Sequence, residues 1–213
     1  VNILLNNSRD KTALAQGDTL NVKAKLTQAL AAIVRRYDST RLITAGCNEV
    51  SPDNNLFKSG ALDVIGFNYH QKKVKDVPQN FPEKPFLMTE TVSALQTRGY
   101  YKMPSDSVYR LPGRKRPFTD PTFLCSAYDN CCAHWGSTHE ATLDVVKHTP
   151  YCAGQFIWTG FDYIGEPTPF NFPARSSYFG LVDLAGFPKD AYYLYQSEWT
   201  KRAVLHLFPH WNW

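Results

Sequence analysis

Apolar and polar positions along the chain follow two rhythms. Between residues 19 and 37, Val22, Leu26, Leu30, Ile33 and Tyr37 recur every three or four positions. That is the spacing of one face of an α-helix. Asp18 stands where an N-cap is wanted, and Arg35 and Arg36 suit the negative end of the helix dipole. Four short apolar runs predict buried strands: 41–47 (RLITAGC), 62–69 (LDVIGFNY), 85–91 (PFLMTET) and 154–161 (GQFIWTGF). Residues 1–7 (VNILLNN) are a further apolar run whose type the pattern leaves open. Ser51-Pro52 opens a short helix that Gly60 closes. Ser137-x-x-Glu140 reads as a capping box for a helix with Leu143 and Val146 inward, ended by Pro150. Residues 92–136 show little periodicity and many Pro, Tyr and Arg, the mark of a functional loop. A second aromatic and Pro-rich loop covers 162–178, and the tail from 192 to 213 is aromatic throughout.

Short apolar strands alternating with helices predict an α/β fold with a parallel sheet. Each strand ends in polar or aromatic residues: Cys47-Asn48-Glu49, Asn68-Tyr69-His70, Thr89-Glu90-Thr91, and Trp158 to Asp162. Polar residues gathered at the C-terminal ends of parallel strands mark the active face of a (β/α)8 TIM barrel. No Gly-rich phosphate loop follows any strand, which counts against a doubly wound dinucleotide fold. Four strands are clear where a barrel needs eight, so the expected fold is about half a barrel.

Composition narrows this further. With 43% hydrophobic and 14% aromatic residues the chain has ample material for a packed core, which excludes disorder. No stretch approaches the ~20 apolar residues of a membrane-spanning helix. The net charge of +4 is modest and spread out. Its densest cluster, Arg114-Lys115-Arg116, reads as a solvated loop tip, so neither nucleic acid nor membrane is an expected partner. Five cysteines, an odd number, argue against a disulfide framework. Cys131, Cys132, His134 and His139 lie close in sequence, but their spacing matches no zinc pattern, and they read as packing residues. The chain starts at Val1 with no visible leader, and a processed product or fragment is expected.

Glu90 is the leading candidate for chemistry, because it ends an apolar strand where a carboxylate is costly unless hydrogen-bonded or used. The alternative is an ion-pair role, with Arg98 as the partner. Tyr69, His70, Trp158 and Asp162 place aromatic faces beside polar groups, which suits a sugar that stacks its C–H face and hydrogen-bonds its hydroxyls. Asn68 either donates to a hydroxyl or satisfies a strand end. Glycoside hydrolysis needs two carboxylates, and Glu49, Asp162 and Glu166 are the candidate partners of Glu90.

The segments GALDVIGFNYH (60–70), KPFLMTETVSALQTRGYYKMPSD (84–106), GQFIWTGFDYIGEPTPF (154–170), ARSSYFGLVDLAGFPKD (174–190) and YLYQSEWT…VLHLFPHWNW (193–213) resemble glycoside hydrolase family 2, in its bacterial β-galactosidase-like branch. The resemblance runs over nearly the whole chain. It implies the second half of the catalytic (β/α)8 barrel, strands five to eight, over residues 1–205, with 206–213 leading into a β-sandwich domain. It implies that Glu90 is the nucleophile, with Tyr69 beside it and Trp158 lining the substrate. The family's acid/base Glu follows an Asn in a motif like S-x-G-N-E on the fourth strand. Asn48-Glu49 lies on the wrong strand for it, and the expectation is that this Glu lies upstream of Val1. The implied reaction is retaining hydrolysis of a terminal β-galactosyl bond, with no activity in the chain alone. The implied partners are a carbohydrate, the other barrel half and flanking β-sandwich domains. No cofactor is expected in this chain, since the Mg²⁺ and Na⁺ sites of the family draw on residues outside it. Rival readings are a β-glucuronide substrate clamped by Lys189 or Arg175, a β-mannoside, and a non-catalytic sugar-binding segment.

Overall fold

The computed structural model describes residues 21–110 and 125–209. Arg114, Lys115, Arg116, Asp18, Trp211, Trp213 and the run 1–7 therefore lie outside the described residues. The chain divides into two compact units, one of residues 1–91 with 145–156 and one of 92–144 with 157–213.

The first unit opens with α1 (Val22–Tyr37). Asn21 caps it by accepting from the Ala24 N–H at 3.0 Å. Arg35 ends it by pairing with Asp63 at 2.9 Å and donating to the Ala61 carbonyl. The buried face of α1 is Ala24, Thr27 and Ala31, small residues that allow close approach to α2 (Asn55–Lys58). The apolar row read from the sequence is turned outward: Val22 is 82% and Tyr37 85% exposed, with Leu26, Leu30 and Ile33 also open. α2 does not open at Ser51-Pro52 as expected: Asn54 caps it through Leu56 N–H, because residues 51–54 form a turn, while Gly60 (φ +67°) closes the turn after it.

β1 (Ile65–Asn68), β2 (Phe86–Val92) and β5 (Cys152–Trp158) form one sheet in the order β1-β2-β5, with β1 and β2 parallel. Residues 41–47, expected as a strand, run beside β1 but form only one parallel bridge, Cys47 with Phe67. The reason is local. Asp63 and Val64 N–H both donate to Ile43 O, while the Asp63 carboxylate and Thr44 hydroxyl take up groups a ladder would use. Between β1 and β2 the sequence reading placed no helix, yet a 3₁₀ turn (Gln71–Asp76) and α3 (Val77–Asn80) are present. Val74, Val77 and Phe81 from this stretch pack on Ile65, Phe67, Phe86 and Met88. The helices thus cover one face of the sheet. Alternation sends Leu87 and Thr89 to the other face, where Gly46 and Gly66 lie. A Cβ on Gly66 would stand 2.7 Å from Thr89 Cγ2 and 2.5 Å from Ala45 O, so that face is closed to larger residues there.

The second unit draws in part on the segment read as a long loop. Leu95 N–H donates to Cys131 O and Ala133 N–H to Ser93 O, and β3 (Tyr109–Arg110) pairs in parallel with β4 (Cys131–Cys132). Leu95, Cys125, Cys131, Ala133, Phe170 and Phe179 form its core, with Trp158, Tyr163 and Tyr178 packed against it. α4 (His139–Lys147) does not start with the expected capping box. Asp129 accepts from His139 and Glu140 N–H, Thr138 accepts from Ala141 N–H, and Ser137 bonds to Thr142. The fourth predicted strand stops at Trp158, because Thr159 N–H and the Thr159 and Gly160 carbonyls pair with 179–182 instead. The tail forms a helix the sequence reading did not foresee, α5 (Asp190–Trp199), which buries Ala191 and Tyr195. Beyond it, His206 stacks on Tyr193 at 3.9 Å and bonds Asp190 at 2.8 Å.

Candidate active site

Glu90 sits near the end of β2, the central strand of the sheet, and is half-buried. In the β1–β2 ladder Phe67 faces Met88 and Asn68 faces Glu90, so one residue, Thr89, is extra. This bulge brings the end of β1 level with the carboxylate. Tyr69 and His70 then both adopt left-handed φ of 56°. The chain turns back over β2: Tyr69 N–H donates to Glu90 O at 2.6 Å, and the Tyr69 hydroxyl donates to Glu90 Oε1.

Two effects act on the Glu90 carboxyl. Burial raises its pKa above the ordinary carboxylate range, and the Tyr69 hydroxyl, which favours the anion, pulls it back. A carboxylate held charged by one phenol in a half-dry site is suited to nucleophilic attack on an electron-poor carbon. Arg98, the ion-pair partner considered for Glu90, is instead bound to Asp183 at 2.7 Å and lies over the Phe187 ring in the second unit.

The neighbours of Glu90 are tied together. Asn68, 4% exposed, accepts from Thr89 Oγ1 at 2.8 Å and donates to Asn48 Oδ1 at 2.9 Å. His70 is exposed, with Nδ1 3.0 Å from the Asn68 carbonyl. Thr91 anchors the far side of β2 to β5 through Gln155 Oε1 and Phe156 O. Of the candidate second carboxylates, Glu49 accepts from Ser51 N–H at 3.0 Å, which is the work of a turn residue. Thr89 and Asn48 as partners of Asn68 escaped the sequence reading; their signal was only that each stands at a strand end.

Trp158 and Asp162 belong to the second unit. Trp158 Nε1 donates to the Tyr163 hydroxyl at 3.3 Å, and the two rings meet edge-on at 5.9 Å. Asp162 Oδ1 accepts from Lys189 Nζ at 2.8 Å and from Gly180 N–H at 2.7 Å. Burial raises the Asp162 pKa and lowers that of Lys189, each opposed by the partner's charge. Lys189 is 1% exposed and also donates to Gln96 O, so it is a buried structural cation and not the open clamp considered for a uronate. Arg175 and Glu166 are exposed in this unit. The cysteine–histidine group is dispersed: Cys131 and Cys132 are buried in β4, His134 is exposed, and His139 is buried against Tyr195. Among the described residues no three His, Cys, Asp or Glu are arranged to hold a metal ion. No described helix is long and apolar enough to cross a membrane.

A half-buried carboxylate at a strand end, with a tyrosine hydroxyl on it, has the parts for nucleophilic or acid–base chemistry. The chain is 58% identical over all 213 residues to the β-galactosidase BoGH2A of Bacteroides ovatus, of which it covers 25%. It is 31% identical over 86% of its length to a Formosa agariphila protein described as a β-glucuronidase, covering 19% of that protein. The crystal structure of a β-glycosidase from Bacteroides vulgatus superposes on 88% of the chain with a TM-score of 0.71 and 28% identity, the match covering 25% of that structure. No family model matches the chain. The chain is strongly homologous to glycoside hydrolases of family 2 and spans about a quarter or less of the length of these relatives.

Proposed function

We propose that this chain is part of a retaining exo-β-glycosidase that hydrolyses terminal β-D-galactosyl bonds, with Glu90 as the nucleophile. The observation that carries the reading is the Tyr69 hydroxyl on the Glu90 carboxylate at the end of the central strand. The 58% identity to a β-galactosidase supports the choice of sugar. In this reading residues 1–205 are the second half of a (β/α)8 barrel, in which 41–47, β1, β2 and β5 serve as strands five to eight.

Glu90 attacks the anomeric carbon while the glycosidic oxygen leaves, and a covalent glycosyl-enzyme ester forms with inversion. A Glu upstream of Val1 protonates the leaving oxygen, then takes a proton from water as water breaks the ester with a second inversion. Tyr69 keeps Glu90 ionised before attack. His70 lines the sugar.

A β-glucuronidase is the second reading, favoured by the Formosa agariphila relative. The burial of Lys189 removes one of the two cations it called on and leaves Arg175. The test is covalent trapping of the full-length enzyme with 2-fluoro-galactosyl and 2-fluoro-glucuronyl inactivators, followed by mapping of the labelled peptide. A galactosyl label on Glu90 is expected. A label on another carboxylate refutes the nucleophile, and labelling by the glucuronyl reagent alone refutes the sugar.

A further inference from the structure

Asn68 has more of its polar groups engaged than any catalytic reading requires. Its N–H donates to Cys47 O at 2.9 Å, its Oδ1 accepts from Thr89, its Nδ2 donates to Asn48, and its carbonyl meets His70 Nδ1. Three neighbouring segments therefore hold one residue. Immediately after it come two left-handed residues, Tyr69 and His70, neither of them glycine. A left-handed residue with a Cβ is sterically disfavoured, and a pair in succession persists only where its surroundings over-determine it.

The surroundings do so here. The bulge leaves Thr89 without a partner on β1, and its hydroxyl goes to the Asn68 amide. The space for that amide is made by Gly46, where a Cβ would stand 2.8 Å from Asn68 Oδ1. Gly66 in turn makes room for the Thr89 methyl. Bulge, clamp and corner act together, and what they deliver is the Tyr69 hydroxyl at Glu90.

We infer that Asn68 is a positioning residue of the nucleophile site, its amide clamped by Thr89 and Asn48 so that the Tyr69–His70 corner holds the Tyr69 hydroxyl on Glu90. The inference rests on the reading of Glu90 as nucleophile. Of the two sequence readings of Asn68, donor to a sugar hydroxyl or support of a strand end, it takes up the second. Of the titratable groups on the segments packed against β2, Tyr69 is the one bonded to Glu90. Glu49 is turned to Ser51 N–H, His70 Nδ1 to the Asn68 carbonyl, and the Cys152 thiol to Gly154 O.

The test is steady-state kinetics of the full-length enzyme on an aryl β-galactoside across pH, for Asn68→Ala, Thr89→Val, Thr89→Ser and Tyr69→Phe. Asn68→Ala is expected to lower kcat by about tenfold, the scale of one weakened hydrogen bond to a charged group. KM should stay nearly unchanged, and the acid limb of kcat/KM should move upward as in Tyr69→Phe. Thr89→Val should do the same with little change of volume, and Thr89→Ser should restore it. Asn68→Ala combined with Tyr69→Phe should cost little more than Tyr69→Phe alone, because both act through one hydroxyl. A raised KM with an unmoved acid limb would overturn the inference in favour of direct sugar contact. Multiplicative effects of the two changes would also overturn it. If Asn68→Ala does not fold, Thr89→Val with its Ser rescue decides. A Glu90→Gln control that retains turnover refutes the nucleophile reading itself, and with it this inference.

Discussion

Replacing Lys189 by Met should be among the most damaging single changes in the second unit. The ammonium is 1% exposed and contacts Asp162 Oδ1 at 2.8 Å, Gln96 O at 2.8 Å and Tyr178 O at 3.4 Å. Methionine matches the stem in length but supplies no donor. It leaves the Asp162 carboxylate, whose side chain is 6% exposed, with the Gly180 N–H as its remaining bond. Breaking one side of a buried pair costs about 3–5 kcal/mol. At about 2–4 °C per kcal/mol for a domain of this size, the melting temperature should fall by roughly 10 °C. Replacing both partners, Lys189→Met with Asp162→Leu, should recover much of the loss, since an apolar pair of similar volume is often neutral.

The pH dependence gives a second reading of the same variant. Burial already raises the Asp162 pKa, and loss of Lys189 removes the charge that opposes it. An acid whose folded pKa lies above its unfolded value destabilises the fold when ionised. That cost is full above the folded pKa, shrinks as pH falls through it, and is gone below the unfolded value of about 3.9. The gap between wild type and Lys189→Met should therefore narrow on acidification. The assay is differential scanning fluorimetry of the full-length enzyme with limited proteolysis around 159–163. An unchanged melting temperature at neutral pH, or a gap that widens toward acid, would refute the reasoning.

Three further outcomes follow from the site and its supports. Glu90→Gln should lower kcat roughly 10³-fold or more while leaving the melting curve in place; near-normal turnover in a folded variant contradicts the assignment. Tyr69→Phe removes a hydrogen bond to a charged group, about 1.5–3 kcal/mol, so the acid limb of kcat/KM should rise by roughly 1–2 pH units. The sign follows because the Tyr69 bond lowers a pKa that burial has raised, and a pH–rate profile with an unmoved limb counts against it. Gly180→Ala should destabilise by about 3 kcal/mol or more, because its Cβ would stand 2.1 Å from Asp162 N, which is backbone and cannot yield; equal thermal stability contradicts it.

What the sequence revealed and what it hid divide along the range of the interactions. β1 and β2 were legible because their apolar runs bury a whole face, as Ile65, Phe67, Phe86 and Met88 do. The strand-end positions of Glu90 and Tyr69 were legible because strand ends are where polar residues break such runs. The 3₁₀ turn and α3 carried a signal, Val74, Val77 and Phe81 at helical spacing, but Lys and Gln around it made the stretch look like solvent loop. In α1 the period was right and the direction wrong. Packing against α2 selected the small residues Ala24, Thr27 and Ala31, and no hydrophobicity count would have chosen them over Leu26, Leu30 and Ile33. The partners that shape the site are further apart still. Asn68 meets Asn48 and Thr89 across about twenty residues each way, and Lys189 meets Gln96 across 93. Such pairs leave no period and no motif in one sequence. Their trace is in the glycines, since Gly46, Gly66 and Gly180 each stand where a Cβ would strike a distant neighbour. In this chain those distant contacts are recorded by where side chains are missing.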